Sequence, residues 1–306
     1  MEQTKKKSNY GFLFAILKVI LGIVILVALV LGGIYLYVRI ALGIDIFGAI
    51  RSVKKLGQDF QIEAIVDSPF TDADSEGVEA QFDNAGLVGF YTKDADGNYT
   101  VKDDISSLPN ATCDIRLTDK QLAAFMQTAV ISSLKLEGED VSDLSFEIKQ
   151  VKFSNYKSST TGPSIDVNIV LFTSITSVKK TLNVFPLSIV TKYLPDDLYI
   201  SASFTAKKTG NNTFAVEGLG LKLNGLSESE TATILDILGR ASNLGDSYSI
   251  SAEVGNTVMQ ALVRGKDGEA GFTTELAPLN IGDYNFEKDS ESNTIYFVFK
   301  VRVSGE

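Results

Sequence analysis

Three serine–lysine pairs have the S-x-x-K spacing, Ser132 with Lys135, Ser154 with Lys157 and Ser177 with Lys180, and Lys208-Thr209-Gly210 reads KTG. A deprotonated lysine can act as base for a neighbouring serine nucleophile. That chemistry wants its S-x-x-K at the start of a helix and an S-x-N between it and KTG. The order of motifs here supplies neither, and KTGNN lies between two alternating apolar runs, where a hairpin turn belongs. The chain has no histidine, no tryptophan and one cysteine, Cys113. Histidine-based triads, Cys-His pairs, histidine-ligated zinc and Cys-rich metal sites are therefore excluded. Cys113 reads as a small buried hydrophobe, without a histidine to make its thiolate.

Two acidic stretches have cation-loop spacing. In DADSEGVEAQFD, Asp72, Asp74, Glu76, Gly77 and Asp83 fall at positions 1, 3, 5, 6 and 12 of an EF-hand-like loop. Such a loop gathers oxygen ligands around a hard cation while the glycine makes the sharp turn. Asp72, Asp74, Glu76 and Asp83 are thus the candidate metal ligands, although position 12 ordinarily carries a bidentate glutamate. A solvated acidic turn is the simpler reading of the same residues. TKDADGNYTVKD has Asp94, Asp96, Gly97 and Asp103 in similar order but reads as strand, turn and strand. No other cofactor is implied.

The elements that would hold any site begin with an apolar run. Val19 to Val38, VILGIVILVALVLGGIYLYV, carries no charge. At about 1.5 Å per residue, roughly 20 helical residues cross a hydrocarbon core about 30 Å thick. The run is longer than a signal-peptide core and lacks an A-x-A site after it, so it is read as a retained transmembrane helix. Lysines and arginines tie in number on its two sides. The short N-terminal stub (residues 1–18) is placed in the cytoplasm, because a long following domain crosses largely regardless of charge. Residues 39–60 are read as a juxtamembrane amphipathic segment, with Ile46, Phe47, Ile50 and Val53 on one helical face. Residues 61–306 form the extracytoplasmic domain. Ala28 and Gly32 have the small-x-x-x-small spacing through which two spans can pack as a homodimer.

Before Leu56 there are eight basic and two acidic residues; from there on, twenty and thirty-six. So acidic a domain repels phosphate backbones, which argues against nucleic acid as a partner. Period-two alternation dominates it: Leu144, Phe146 and Ile148; Ile165, Val167, Ile169 and Leu171; Ile200, Ala202, Phe204 and Ala206. These are strands with one buried face. Two helices open on capping boxes, Thr118 with Gln121 and Ser227 with Glu230. The fold class is therefore α+β: one transmembrane helix, then a β-rich domain of long antiparallel strands with two short capped helices.

In this order of elements the chain resembles the YpmS-like family, membrane-anchored extracytoplasmic proteins of Gram-positive bacteria whose biochemical role is uncharacterised. The resemblance rests on the N-terminal span, the helix start Leu117-Thr118-Asp119-Lys120-Gln121-Leu122, the segment Phe185-Pro186-Leu187-Ser188-Ile189-Val190 followed by Leu194-Pro195, and the C-terminal strand Ile295 to Val303. More distantly it is similar to tubular lipid-binding domains, in which a curved sheet wraps an apolar groove around a helix. Phe185, Leu187 and Leu194 are the candidate groove residues. Phe125, Phe146, Phe153, Phe172 and Phe204 would line the same groove or fill an ordinary core. The function expected is non-enzymatic: a single-pass cell-envelope protein that binds lipid or a lipid-linked envelope intermediate. The alternative is a structural or assembly factor contacting another membrane protein. Catalysis by a carboxylate pair alone is a weaker third reading, since no pair among the acidic residues is singled out.

Overall fold

The computed structural model describes most of residues 51–101, 112–136, 146–176, 195–234 and 279–303. In chain order these residues form α1 (Ile62–Ile65), α2 (Asp72–Asn84), β1 (Tyr91–Lys93), β2 (Tyr99–Val101), β3 (Thr112–Thr118), α3 (Asp119–Leu136), β4 (Phe146–Lys157), β5 (Ser164–Ser174), β6 (Asp197–Gly210), β7 (Thr213–Leu223), β8 (Leu279–Lys288) and β9 (Ile295–Val303). A further helix begins at residue 228. All strand pairings are antiparallel and make three sheets, β1-β2, β3-β9-β8 and β4-β5-β6-β7. The α+β class with long antiparallel strands is thus as the alternation predicts. Among the described residues no helix is long and apolar enough to cross a membrane. Val19 to Val38, with Ala28 and Gly32, lies outside them, as does the amphipathic face Ile46, Phe47, Ile50 and Val53.

β5 and β6 bury the predicted faces, and of Leu144, Phe146 and Ile148 the last is buried on β4, Leu144 lying outside the described residues. Ile165, Val167, Ile169 and Leu171 of β5, and Ile200, Ala202, Phe204 and Ala206 of β6, are all buried. Burial of each larger aliphatic or aromatic side chain is worth about 1.5–3 kcal/mol. The core lies between the two larger sheets. Phe286 of β8 meets Phe153 of β4 at 5.3 Å and Phe214 of β7 at 5.4 Å. Lys208 Nζ on β6 donates to the Tyr284 carbonyl on β8 at 2.9 Å. Helix α3 packs against β4, β3 and β9 and against α2. Its Phe125 stacks on Phe82 of α2 and Phe299 of β9, with ring centroids 5.7 and 6.2 Å apart. Both predicted capping boxes form: Gln121 N donates to Thr118 Oγ1 at 3.2 Å and Thr118 N to Gln121 Oε1 at 3.0 Å, and Ser227 N donates to Glu230 Oε2 at 3.0 Å. Phe125, Phe153 and Phe204 are core residues.

Two expectations are corrected. DADSEGVEAQFD is not a cation-binding loop but most of helix α2. Thr71 caps it, its N–H donating to Asp74 Oδ2 at 2.8 Å. Asp72 and Asp74 in the first turn favour the positive end of the helix dipole, and Val78 and Phe82, one turn apart, supply its buried anchors. Gly77 serves close packing rather than a turn, since a Cβ there would come within 2.5 Å of Gln121 Nε2 on α3. The description of two short helices also gives way, because α3 alone runs for 18 residues and α2 is a third capped helix.

A polar cleft on the outer sheet face

The residues between the buried positions of β5 and β6 face away from the core; toward one end they are apolar, with Phe172 against Tyr199 at 5.2 Å, and toward the other they are short and polar. The register sets Asp166 opposite Thr205 and Asn168 opposite Ser203, with Ser154 and Lys152 of β4 continuing the rows. Across the strands these side chains bond in series. Gln150 Nε2 donates to Asn168 Oδ1 at 2.9 Å, and Asn168 Nδ2 donates to Ser201 Oγ at 3.0 Å and Ser203 Oγ at 2.9 Å. Thr205 Oγ1 donates to Asp166 Oδ1 at 2.6 Å, and Asn155 Nδ2 to Asp166 Oδ2 at 2.8 Å. These bonds, the threonine's above all, hold the Asp166 carboxyl below its ordinary pKa.

The β7 side of this face is bare because Gly218 and Gly220 stand there. Gly218 needs its left-handed φ of 63°. At Gly220 a Cβ would come within 2.8 Å of Glu228 Oε1, so the glycine makes the room into which that glutamate leans. The result is a cleft of about 360 Å³ lined by Ser154, Asp166, Asn168, Ser203, Thr205 and Glu228 over the backbone of the two glycines. Among the described residues no lysine or arginine lines it. Glu228 is exposed and makes no hydrogen bond among the described residues.

A strap of chain crosses the rest of the same face. Leu56 is fully buried, and its carbonyl accepts from Asn224 Nδ2 at 2.9 Å. Lys55 pairs with Glu230, whose carboxyl is held down to about 2 by that bond and by Ser227. Phe60 packs edge-on against Tyr199 at 5.5 Å, Ser68 N donates to Gln150 Oε1 at 2.7 Å, and Asp67 pairs with Lys152 and is lowered by it. Packing of the domain therefore starts ahead of Gln61, with Lys55 and Leu56.

Of the residues singled out in the sequence, Phe185, Leu187 and Leu194 lie outside the described residues. Asp72, Asp74, Glu76 and Asp83 sit on α2, Asp74 spent on the cap and Asp83 Oδ1 accepting from Gly89 N at 3.2 Å. Among the described residues no group of three ligand-type side chains could hold a metal ion. Of the S-x-x-K and KTG residues, Ser154 and Lys157 share strand β4, Lys208 is on β6, and Ser132 and Lys135 lie in α3, whereas Ser177 and Lys180 lie outside the described residues. Cys113 is half-buried rather than buried, and burial raises its thiol pKa. The cleft residues were visible in the sequence only as the polar half of IDVNIV and ISASFT. No family model matches the chain, and neither curated proteins nor solved structures give a match.

Proposed function

We propose that the chain is a non-enzymatic, single-pass envelope protein, its N-terminus cytoplasmic, its β-rich domain outside, and that the domain binds a lipid-linked envelope intermediate by its head group. The observation that carries this reading is the strap: the chain that follows Val19 to Val38 is bound from Lys55 onward to the sheet face that bears the polar cleft. Seventeen residues lie between Val38 and Leu56, a span of eighteen residue steps. They reach roughly 27 Å as a helix and at most roughly 65 Å extended. The cleft is therefore tethered within reach of head groups at the outer membrane surface. The order of elements that resembles the YpmS-like family supports the same reading. The buried Phe125, Phe153 and Phe204 speak for a packed interior, so recognition is assigned to the polar face.

Native mass spectrometry of the full chain, extracted gently from a membrane-containing host, tests it. Discrete adducts that partition into organic solvent are the expected result. A clean mass for a folded chain would overturn the proposal and leave contact with another membrane protein as the reading to pursue.

A further inference from the structure

Resting on the cleft reading above, we propose that the ligand group taken by this cleft is an uncharged saccharide, recognised through its hydroxyls, and not a phosphate. The fixed hydrogen bonds leave a mixed pattern of donors and acceptors. Ser203 Oγ accepts from Asn168, so its own O–H can donate outward. Thr205 Oγ1 donates to Asp166, so its lone pairs can accept. The two lie two residues apart on one strand face, roughly 7 Å along the strand. Ser154 adds a third hydroxyl, and Glu228 adds an acceptor with no partner among the described residues. A sugar hydroxyl both donates and accepts, so it can satisfy either kind of group. A phosphate at neutral pH is anionic and chiefly accepts, and among the described lining residues it would meet two carboxylates and no cation, the Lys157 charge that acts on Asp166 lying outside the lining.

The floor fits the same class. At Gly218, where a Cβ would meet nothing within 4 Å, a ring can lie against the backbone, and the Glu228 carboxylate over Gly220 forms the edge it meets. A volume of about 360 Å³ is at the small end of the roughly 300–1,000 Å³ typical of ligand sites. It suits a short saccharide rather than an acyl chain. Asn168 is held by three hydrogen bonds, so the polar rows are set before any ligand arrives.

The test uses the full chain in micelles of a polyoxyethylene detergent, which carries no sugar. Chitotetraose and maltotetraose serve as neutral probes and glycerol 1-phosphate as the charged one, read by saturation-transfer NMR and titration. At least one tetrasaccharide is expected to bind saturably with a Kd of about 1 mM or tighter, an easily measured affinity. Gly220→Val, which pushes the Glu228 carboxylate off the edge of the cleft, and Ser203→Ala should each weaken it tenfold or more with the circular dichroism unchanged. If Gly220→Val does not fold, Ser203→Ala and Glu228→Gln carry the test. No saturation by either tetrasaccharide, full binding in the folded variants, or tighter binding of glycerol 1-phosphate would each overturn the inference. Saccharide binding without lipid adducts would uphold it while overturning the lipid-linked reading. Lipid adducts undiminished by Gly220→Val would do the reverse.

Discussion

Asn224 is where the strap and the sheet are joined, and replacing it should be costly in a way that can be dissected. Its Oδ1 accepts from Tyr199 N at 2.7 Å, and its Nδ2 donates to the Leu56 carbonyl at 2.9 Å and the Asp197 carbonyl at 3.2 Å. Its backbone sits at a φ of 47°, in the left-handed region. Asn224→Gly keeps that backbone comfortable and removes the three bonds. The orphaned Tyr199 N–H costs about 1–3 kcal/mol and the buried Leu56 carbonyl about 1 more, so the loss should be about 3 kcal/mol. Asn224→Ala loses the same bonds but keeps a Cβ at a left-handed φ, without the local hydrogen bonding by which asparagine tolerates it, and should lose about 1 kcal/mol more than the glycine variant. Urea unfolding of the full chain in detergent, followed by tyrosine emission in a protein with 11 tyrosines and no tryptophan, gives both values. Amide exchange around residues 54–66 should accelerate in both variants. A loss under about 0.5 kcal/mol in Asn224→Ala would refute the claim that this side chain fastens the strap. Equal losses in the two variants would refute the strain contribution.

Glu230 titrates at about 2 against an ordinary 4.5 because Lys55 and Ser227 bind its charged form. A depressed carboxylate stabilises above its unfolded pKa, and the contribution is lost as pH falls through the folded one. Protection of the strap should therefore decline between about pH 4.5 and 2, with Glu230→Gln blunting the decline in an exchange experiment. Phe125→Ala empties the point where α2, α3 and β9 meet and should cost about 3–5 kcal/mol by urea unfolding. Gly162 has a φ of 128°, and a Cβ there would lie 2.8 Å from Lys208 Cβ. Gly162→Ala should accordingly destabilise the β4–β5 hairpin by about 1–3 kcal/mol, seen as a lower urea midpoint, whereas Gly86→Ala, with open space around its Cβ, should lose less.

The strands were legible because alternation is local: every second residue of IDVNIVLF and ISASFTA reports its own burial, whatever the partner strand. Capping boxes are local too, and Thr118 with Gln121 marked the start of α3 to the residue. Helix α2 was missed because its apolar face is only two residues deep, Val78 and Phe82, and its acidic first turns mimic a cation loop. Gly77 strengthened that mistake, since its reason for being glycine is Gln121 on another helix. The cleft was beyond reach for the same cause. Asp166, Asn168, Ser203 and Thr205 look like any solvated strand face until the register pairs them, and Gly220 acquires meaning only beside Glu228. The strap likewise depends on bonds between residues 168 apart, as from Leu56 to Asn224.

The most direct measurement places a photoreactive diazirine side chain at Ser203, in the cleft, and at Glu291, in the β8–β9 turn, of the full chain in the membranes of its producing cells. The account predicts that irradiation at Ser203 yields a covalent product that extracts with lipid and carries saccharide, and that Glu291 yields none. Equal labelling at the two positions, or a Ser203 product that is protein alone, would contradict it.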